Sequence, residues 1–107
     1  MSLRQEKLGE LLRQCSAQFF AIESNRSSLI TITRCVVSTD SKQATILITV
    51  LPESRAHTAL DFAKRKGKDL REYIKKHLRL KRIPFLDIKI DGGELNRQKI
   101  DDLLNKP

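Results

Sequence analysis

Apolar positions in the first part of the chain fall three and four residues apart: Leu8, Leu11, Leu12, Cys15, Phe19 and Ile22. That spacing predicts an amphipathic helix over residues 4–22 with these side chains on its buried face. The turn-forming run Glu23-Ser24-Asn25-Arg26-Ser27-Ser28 ends it. From Leu29 to Ser38 the pattern changes, and the β-branched Ile30, Thr31, Ile32, Thr33, Val36 and Val37 predict a strand. Asp40-Ser41-Lys42 predicts a hairpin turn. A second strand is expected from Ala44 to Leu51, with Ala44, Ile46, Ile48 and Val50 on one face. Pro52 closes it, because proline cannot donate to the ladder.

Behind Ser54, a candidate helix cap, helical spacing returns with Ala56, Ala59, Leu60, Ala63, Gly67, Leu70, Ile74 and Leu78. Gly67 sits midway, where it costs about 1 kcal/mol relative to alanine. The expectation is two helices, or one kinked at Gly67. Ile83-Pro84 resets the chain to extended geometry. Leu86, Ile88 and Ile90 then alternate with Asp87 and Lys89 as a third strand, closed by Asp91-Gly92-Gly93. Leu95, Ile100, Leu103 and Leu104 suggest a short terminal helix. The order α-β-β-α-α-β predicts an α+β protein with helices on one face of a three-stranded sheet. The crossover into the third strand is long enough to let it lie parallel to a neighbour. A chain of 107 residues supports one core, so residues 1–91 are expected to form the body and 92–107 a tail or short helix of the same unit.

Charge turns this scaffold toward a function class. The chain has 21 Lys plus Arg against 13 Asp plus Glu, a net charge of +8. The excess is local. Between residues 64 and 82 lie Lys64, Arg65, Lys66, Lys68, Arg71, Lys75, Lys76, Arg79, Lys81 and Arg82, opposed only by Asp69 and Glu72. A solvated helix face is the ordinary fate of such residues, but it needs acids three or four positions away to pair the cations. With so few acids, the segment has the footprint of a polyanion-binding face. The four arginines can fork onto phosphates while the lysines act as point charges. Gly67 is either a close-approach point for an RNA backbone or a plain helix break.

The remaining chemistry narrows the class further. Phe19, Phe20, Phe62, Tyr73 and Phe85 include no closely spaced strand pair for base stacking. Most are expected in the core, though Phe20, Phe62 and Phe85 fall off the main apolar faces. The pattern favours recognition of RNA by shape and backbone. His57 and His77 are isolated, and Gly92-Gly93 lacks the lysine and serine of a phosphate loop. Asp87, Asp91, Glu94, Asp101 and Asp102 make a poor metal-nuclease set, since the last two are adjacent on an expected helix and Asp87 is on an exposed strand side. Cys15 and Cys35 fit neither a redox pair nor a complete zinc site, and are expected to be reduced core thiols. No catalytic residue, metal or cofactor is implied. The longest apolar run, Phe19-Phe20-Ala21-Ile22, is far below the ~20 residues of a membrane span. No secretory signal opens the chain, so a soluble cytoplasmic protein is expected.

The element order with a basic bend between the middle helices is similar to the type II KH fold. More narrowly, the chain resembles the bacterial ribosome-binding factor A family over nearly its whole length. The resemblance rests on Leu29-Ile30-Thr31-Ile32-Thr33 after the first helix, and on Val36-Val37-Ser38-Thr39-Asp40 leading into Ala44-Thr45-Ile46-Leu47-Ile48-Thr49-Val50. It continues in Leu70-Arg71, in Leu78-Arg79-Leu80-Lys81-Arg82-Ile83-Pro84-Phe85-Leu86, and in the closing Lys99-Ile100-Asp101-Asp102-Leu103-Leu104. Family members generally carry Ala-x-Gly at the kink, where this chain has Arg65-Lys66-Gly67. The resemblance implies a non-catalytic assembly factor, monomeric when free, that binds the small ribosomal subunit and its ribosomal RNA late in maturation. The RNA-contacting set would be the ten basic residues above together with Gly67. A general KH-type RNA binder, a permanent ribosomal protein and a protein-interaction adapter are the alternatives.

Overall fold

The structure, a computed structural model, describes residues 3–23 and 28–92. In chain order these form α1 (Leu3–Ile22), β1 (Leu29–Val37), β2 (Gln43–Leu51), α2 (Ala56–Arg65), α3 (Gly67–His77) and β3 (Phe85–Ile90). The expected α-β-β-α-α-β order is therefore observed. The expected terminal helix around Leu95, Ile100, Leu103 and Leu104 lies outside the described residues.

The strands form one sheet in the order β1-β2-β3. β2 is central, antiparallel to β1 and parallel to β3. Its alternation is the clearest in the chain: Ala44, Ile46, Ile48 and Val50 are buried, while Gln43, Thr49 and Leu51 are exposed. All three described helices pack on the buried side, and none of them covers the opposite face of the sheet. Full burial of side chains of this size stabilises by about 1.5–3 kcal/mol each. The loop from β1 to β2 is held by Ser38 and Asp40. Asp40 Oδ1 accepts from Ser38 Oγ at 2.6 Å and from the Lys42 amide at 3.0 Å, and Ser41 takes a positive φ of 59° at the turn.

β1 departs from simple alternation. The register with β2 shifts between Ile32 and Arg34, so Thr33 is an extra residue in a β-bulge. Without it, Arg34 and Val36 would follow Ile30 and Ile32 into the core. The bulge instead turns Cys35 and Val37 inward and Arg34 outward. Cys35 is half-buried and Cys15, on α1, is buried; neither is disulfide-bonded. Burial pushes the Cys35 thiol up to about 11 and raises that of Cys15 as well, which keeps both protonated and unreactive.

α1 presents a different stripe from the one its apolar residues mark. Gln5, Gly9, Leu12, Cys15, Ser16, Phe19 and Phe20 are buried, whereas Leu11 is 45% and Ile22 70% exposed. The helix is rotated because small residues, Gly9 and Ser16, face the sheet and let it approach. A Cβ on Gly9 would lie 2.7 Å from the Cys35 carbonyl oxygen. Phe20, expected off the apolar face, is buried edge-on to Phe19, with ring centroids 5.0 Å apart. Phe19 in turn meets Tyr73 of α3 at 5.5 Å. The Gln5 side-chain amide donates to the Ser38 carbonyl at 2.9 Å, which satisfies a polar group inside an otherwise apolar contact.

The second helix begins later than its expected cap. Ser54 lies in a 3-10 turn, Glu53–Arg55, and no side chain caps α2. The break between α2 and α3 falls on Lys66, whose φ of −87° and ψ of 4° step out of the helical region for a single residue. Gly67 is already the first residue of α3. The bend is thus made one residue before the glycine.

Candidate nucleic-acid interface

The ten predicted cations fall into three groups and a joint. Lys64 and Arg65 close α2, Lys66 is the joint, Lys68, Arg71, Lys75 and Lys76 ride α3, and Arg79, Lys81 and Arg82 lie in the connection to β3. All are exposed except Lys66, which is half-buried. The apolar side of α3 is held by the buried Leu70 and Ile74. At 3.6 residues per turn, Lys68, Arg71 and Lys75 share one exposed stripe, and Asp69, Glu72 and Lys76 share the next. The two acids are therefore segregated from the main cationic row.

Not every cation is free. Lys66 Nζ lies 3.5 Å from Glu23 and 3.9 Å from Asp69, and sits 5.9 Å above the Phe62 ring. Its charge serves to hold the joint against the end of α1. Arg71 donates from Nη1 to the Pro84 carbonyl at 3.1 Å and from Nη2 to the Ile83 carbonyl at 3.2 Å. Pro84 itself is fully buried. Arg71 thus fastens the connection carrying Arg79, Lys81 and Arg82 onto α3, and acts as a positioning residue for those three. Lys64, Lys68 and Lys75 have no such competing role among the described contacts.

A hollow of about 240 Å³ opens beside the cationic row, lined by Gly67, Lys68, Arg71, Phe85 and Leu86. Phe85 is 67% exposed. Its position follows from strand alternation, since Leu86, Ile88 and Ile90 turn toward the helices and Phe85 must turn away. Two cations, an unobstructed glycine and an exposed ring together suit a phosphate with an adjacent unpaired base. Nothing lies within 4 Å of a Cβ built on Gly67, so backbone can approach it from outside. A second hollow, on α2, includes Asp61 beside Lys64 and Arg65, and that carboxylate makes it less suited to phosphate. Among the described residues no group of three His, Cys, Asp or Glu is placed to hold a metal ion. Nor is any described helix long and apolar enough to cross a membrane.

A family model described as Ribosome-binding factor A matches residues 4–104. The chain belongs to the ribosome-binding factor A family. A curated member from Geobacter sulfurreducens, named Ribosome-binding factor A, is 36% identical over 107 aligned residues, covering 96% of this chain and 90% of that one. The crystal structure of ribosome-binding factor A from Thermus thermophilus superposes with a TM-score of 0.69 at 22% identity, over 80% of this chain and 94% of that one. A Thermotoga maritima protein solved by solution NMR gives 0.58 at 24% identity, over 86% and 88%. Thermus thermophilus ribosome-binding factor A fitted into the cryo-EM map of a 30S complex gives 0.67 at 18% identity, over 78% and 90%. At these identities the solved structures speak for the fold, and family membership rests on the sequence matches.

Proposed function

We propose that this protein is a ribosome assembly factor that binds the small ribosomal subunit through its ribosomal RNA, using the α2–α3 face and the connection to β3. Family membership supports the ribosomal target, and the Thermus thermophilus factor fitted to a 30S complex supplies a precedent for it. The observation that carries the RNA-binding surface is the exposed cationic row Lys68, Arg71 and Lys75, continued by Lys64 and by Arg79, Lys81 and Arg82. Phosphates bound there release condensed counterions, so affinity comes from charge and falls with salt. The role is binding, without a catalytic step, by a protein that is monomeric when free and works in the cytoplasm.

The test is co-sedimentation of the purified protein with immature small subunits, mature small subunits and full ribosomes across a salt series. Binding to small subunits that weakens with salt, and none to full ribosomes, is the expected result. With six phosphate contacts the log–log slope should be roughly −4 to −5. Equal binding to all three particles identifies a general RNA binder instead. No binding even at low salt overturns the proposal.

A further inference from the structure

Four of the five aromatic rings are occupied within the fold. Phe19 and Phe20 are buried edge-on to each other, Tyr73 lies between Phe19 and His77 at 5.5 and 3.9 Å, and the half-buried Phe62 sits under Lys66. Phe85 is different. It is 67% exposed, and no ring or cation meets it among the described contacts. Its backbone is nonetheless fixed on both sides. The Phe85 amide donates to the Lys42 carbonyl at 2.8 Å, while the preceding Pro84 is fully buried with its carbonyl held by Arg71 at 3.1 Å. A contact presented from a fixed backbone loses little entropy when a ligand arrives.

The surroundings of Phe85 suit one kind of ligand. The hollow that it lines with Leu86 also holds Lys68, Arg71 and the unobstructed Gly67, and no carboxylate lines it. Arg71 is committed to two backbone carbonyls, which leaves Lys68 as the cation available to a phosphate. Recognition by shape and backbone alone, as expected from the sequence, gives the exposed ring no role. In an A-form duplex each base is stacked between its neighbours, so a protein ring can stack only on an unpaired base. Resting on the RNA-binding reading of this face, we propose that the RNA held here presents an unpaired nucleotide whose base stacks on Phe85 while its phosphate lies against Lys68 and Gly67. The target is then a single-stranded or bulged stretch of RNA, and Phe85 is the residue that selects it over a regular duplex.

The test uses the full chain with Phe85→Leu, which keeps an apolar side chain but removes the π-face, and with Phe85→Trp, which restores it. The probes are a short single-stranded RNA, a blunt RNA duplex with the same number of phosphates, and immature small subunits. Phe85→Leu should weaken binding to the single strand and to the subunit by roughly 5- to 150-fold, with an unchanged salt slope and unchanged duplex binding. Lys68→Gln should instead lower the salt slope by about 1 on every probe. The chain has no tryptophan, so Phe85→Trp supplies the protein's one indole, whose fluorescence the single strand should quench and the duplex should not. Phe85→Leu binding as tightly as the parent overturns the stacked base and leaves the RNA face standing. An equal loss on single strand and duplex overturns it too, as does a loss on subunits alone, which assigns the ring to a ribosomal protein. A parent protein that binds none of the three probes removes the RNA-binding reading itself, and the stacked base with it.

Discussion

Two helical glycines mark opposite designs within one small molecule. At Gly9 the first helix lies so close on β1 that an added Cβ would stand 2.7 Å from the Cys35 carbonyl. At Gly67 the same atom would meet nothing within 4 Å. The α1–β1 contact is a packed seam in which small residues, the β-bulge at Thr33 and the edge-on Phe19–Phe20 pair set the helix position. The α2–α3 joint is an open surface, where the helices bury only a narrow apolar stripe and turn cations to solvent. If stability rests on the first side and the proposed binding on the second, substitutions on the two sides should affect different measurements.

The largest effect is expected on the open side. Lys64→Glu, Lys68→Glu and Lys75→Glu combined remove three candidate phosphate contacts and add three repulsive charges. Subunit affinity at moderate salt should fall by roughly 100-fold or more, with the unfolding midpoint nearly unchanged because all three side chains are exposed. Co-sedimentation and thermal melts on the same sample check both halves. A well-folded variant that still binds would remove the basic face from the account. The packed side should give the reverse result. Gly9→Ala pushes α1 off a backbone carbonyl that cannot rotate away, at a cost of roughly 2–3 kcal/mol. Denaturant melts would show the loss, while affinity measured below the melt should stay near that of the parent.

Arg71 blurs the division and therefore sharpens it. It belongs to the cationic row, yet its guanidinium holds the Ile83 and Pro84 carbonyls. Arg71→Gln should cost about 1–2 kcal/mol of stability and weaken binding beyond the loss of one charge, since Arg79, Lys81 and Arg82 lose their anchor. A stability unchanged within error, with only a single charge's worth of affinity lost, would return Arg71 to the ordinary phosphate contacts.

The parts of this architecture legible in the sequence were those written in apolar period and charge density. β2 reads directly, because Ala44, Ile46, Ile48 and Val50 alternate without interruption. The segregation of charge between residues 64 and 82 reads just as directly, and every cation in it but Lys66 is exposed. What period could not show was packing that uses no apolar side chain. Gly9 and Ser16 face the sheet but do not register as hydrophobic, so the stripe marked by Leu11 and Ile22 is rotated from the real one. The bulge at Thr33 reverses the facing of Arg34 and Cys35, and nothing in a β-branched run announces an extra residue. Engagement was equally hidden. Charge counting treats Lys66, Arg71 and Lys75 alike, whereas three-dimensional placement gives the first to the joint, the second to the β3 connection and leaves the third exposed, with no partner among the described contacts.

The smallest predicted effect separates the two readings of Gly67. Its backbone is helical, and the bend falls on Lys66, so the fold does not need a glycine at this position. Gly67→Ala should therefore stabilise the protein by about 0.5–1 kcal/mol, through the ordinary helical preference for alanine and the lower entropy of the unfolded chain. If the glycine is only a helix break, subunit affinity will rise or stay level with that stability. If RNA backbone approaches along the hollow lined by Gly67, Lys68 and Phe85, the added methyl meets the ligand, and affinity falls while stability improves. Opposite signs in the two measurements would show that the residue is retained for what it admits from outside.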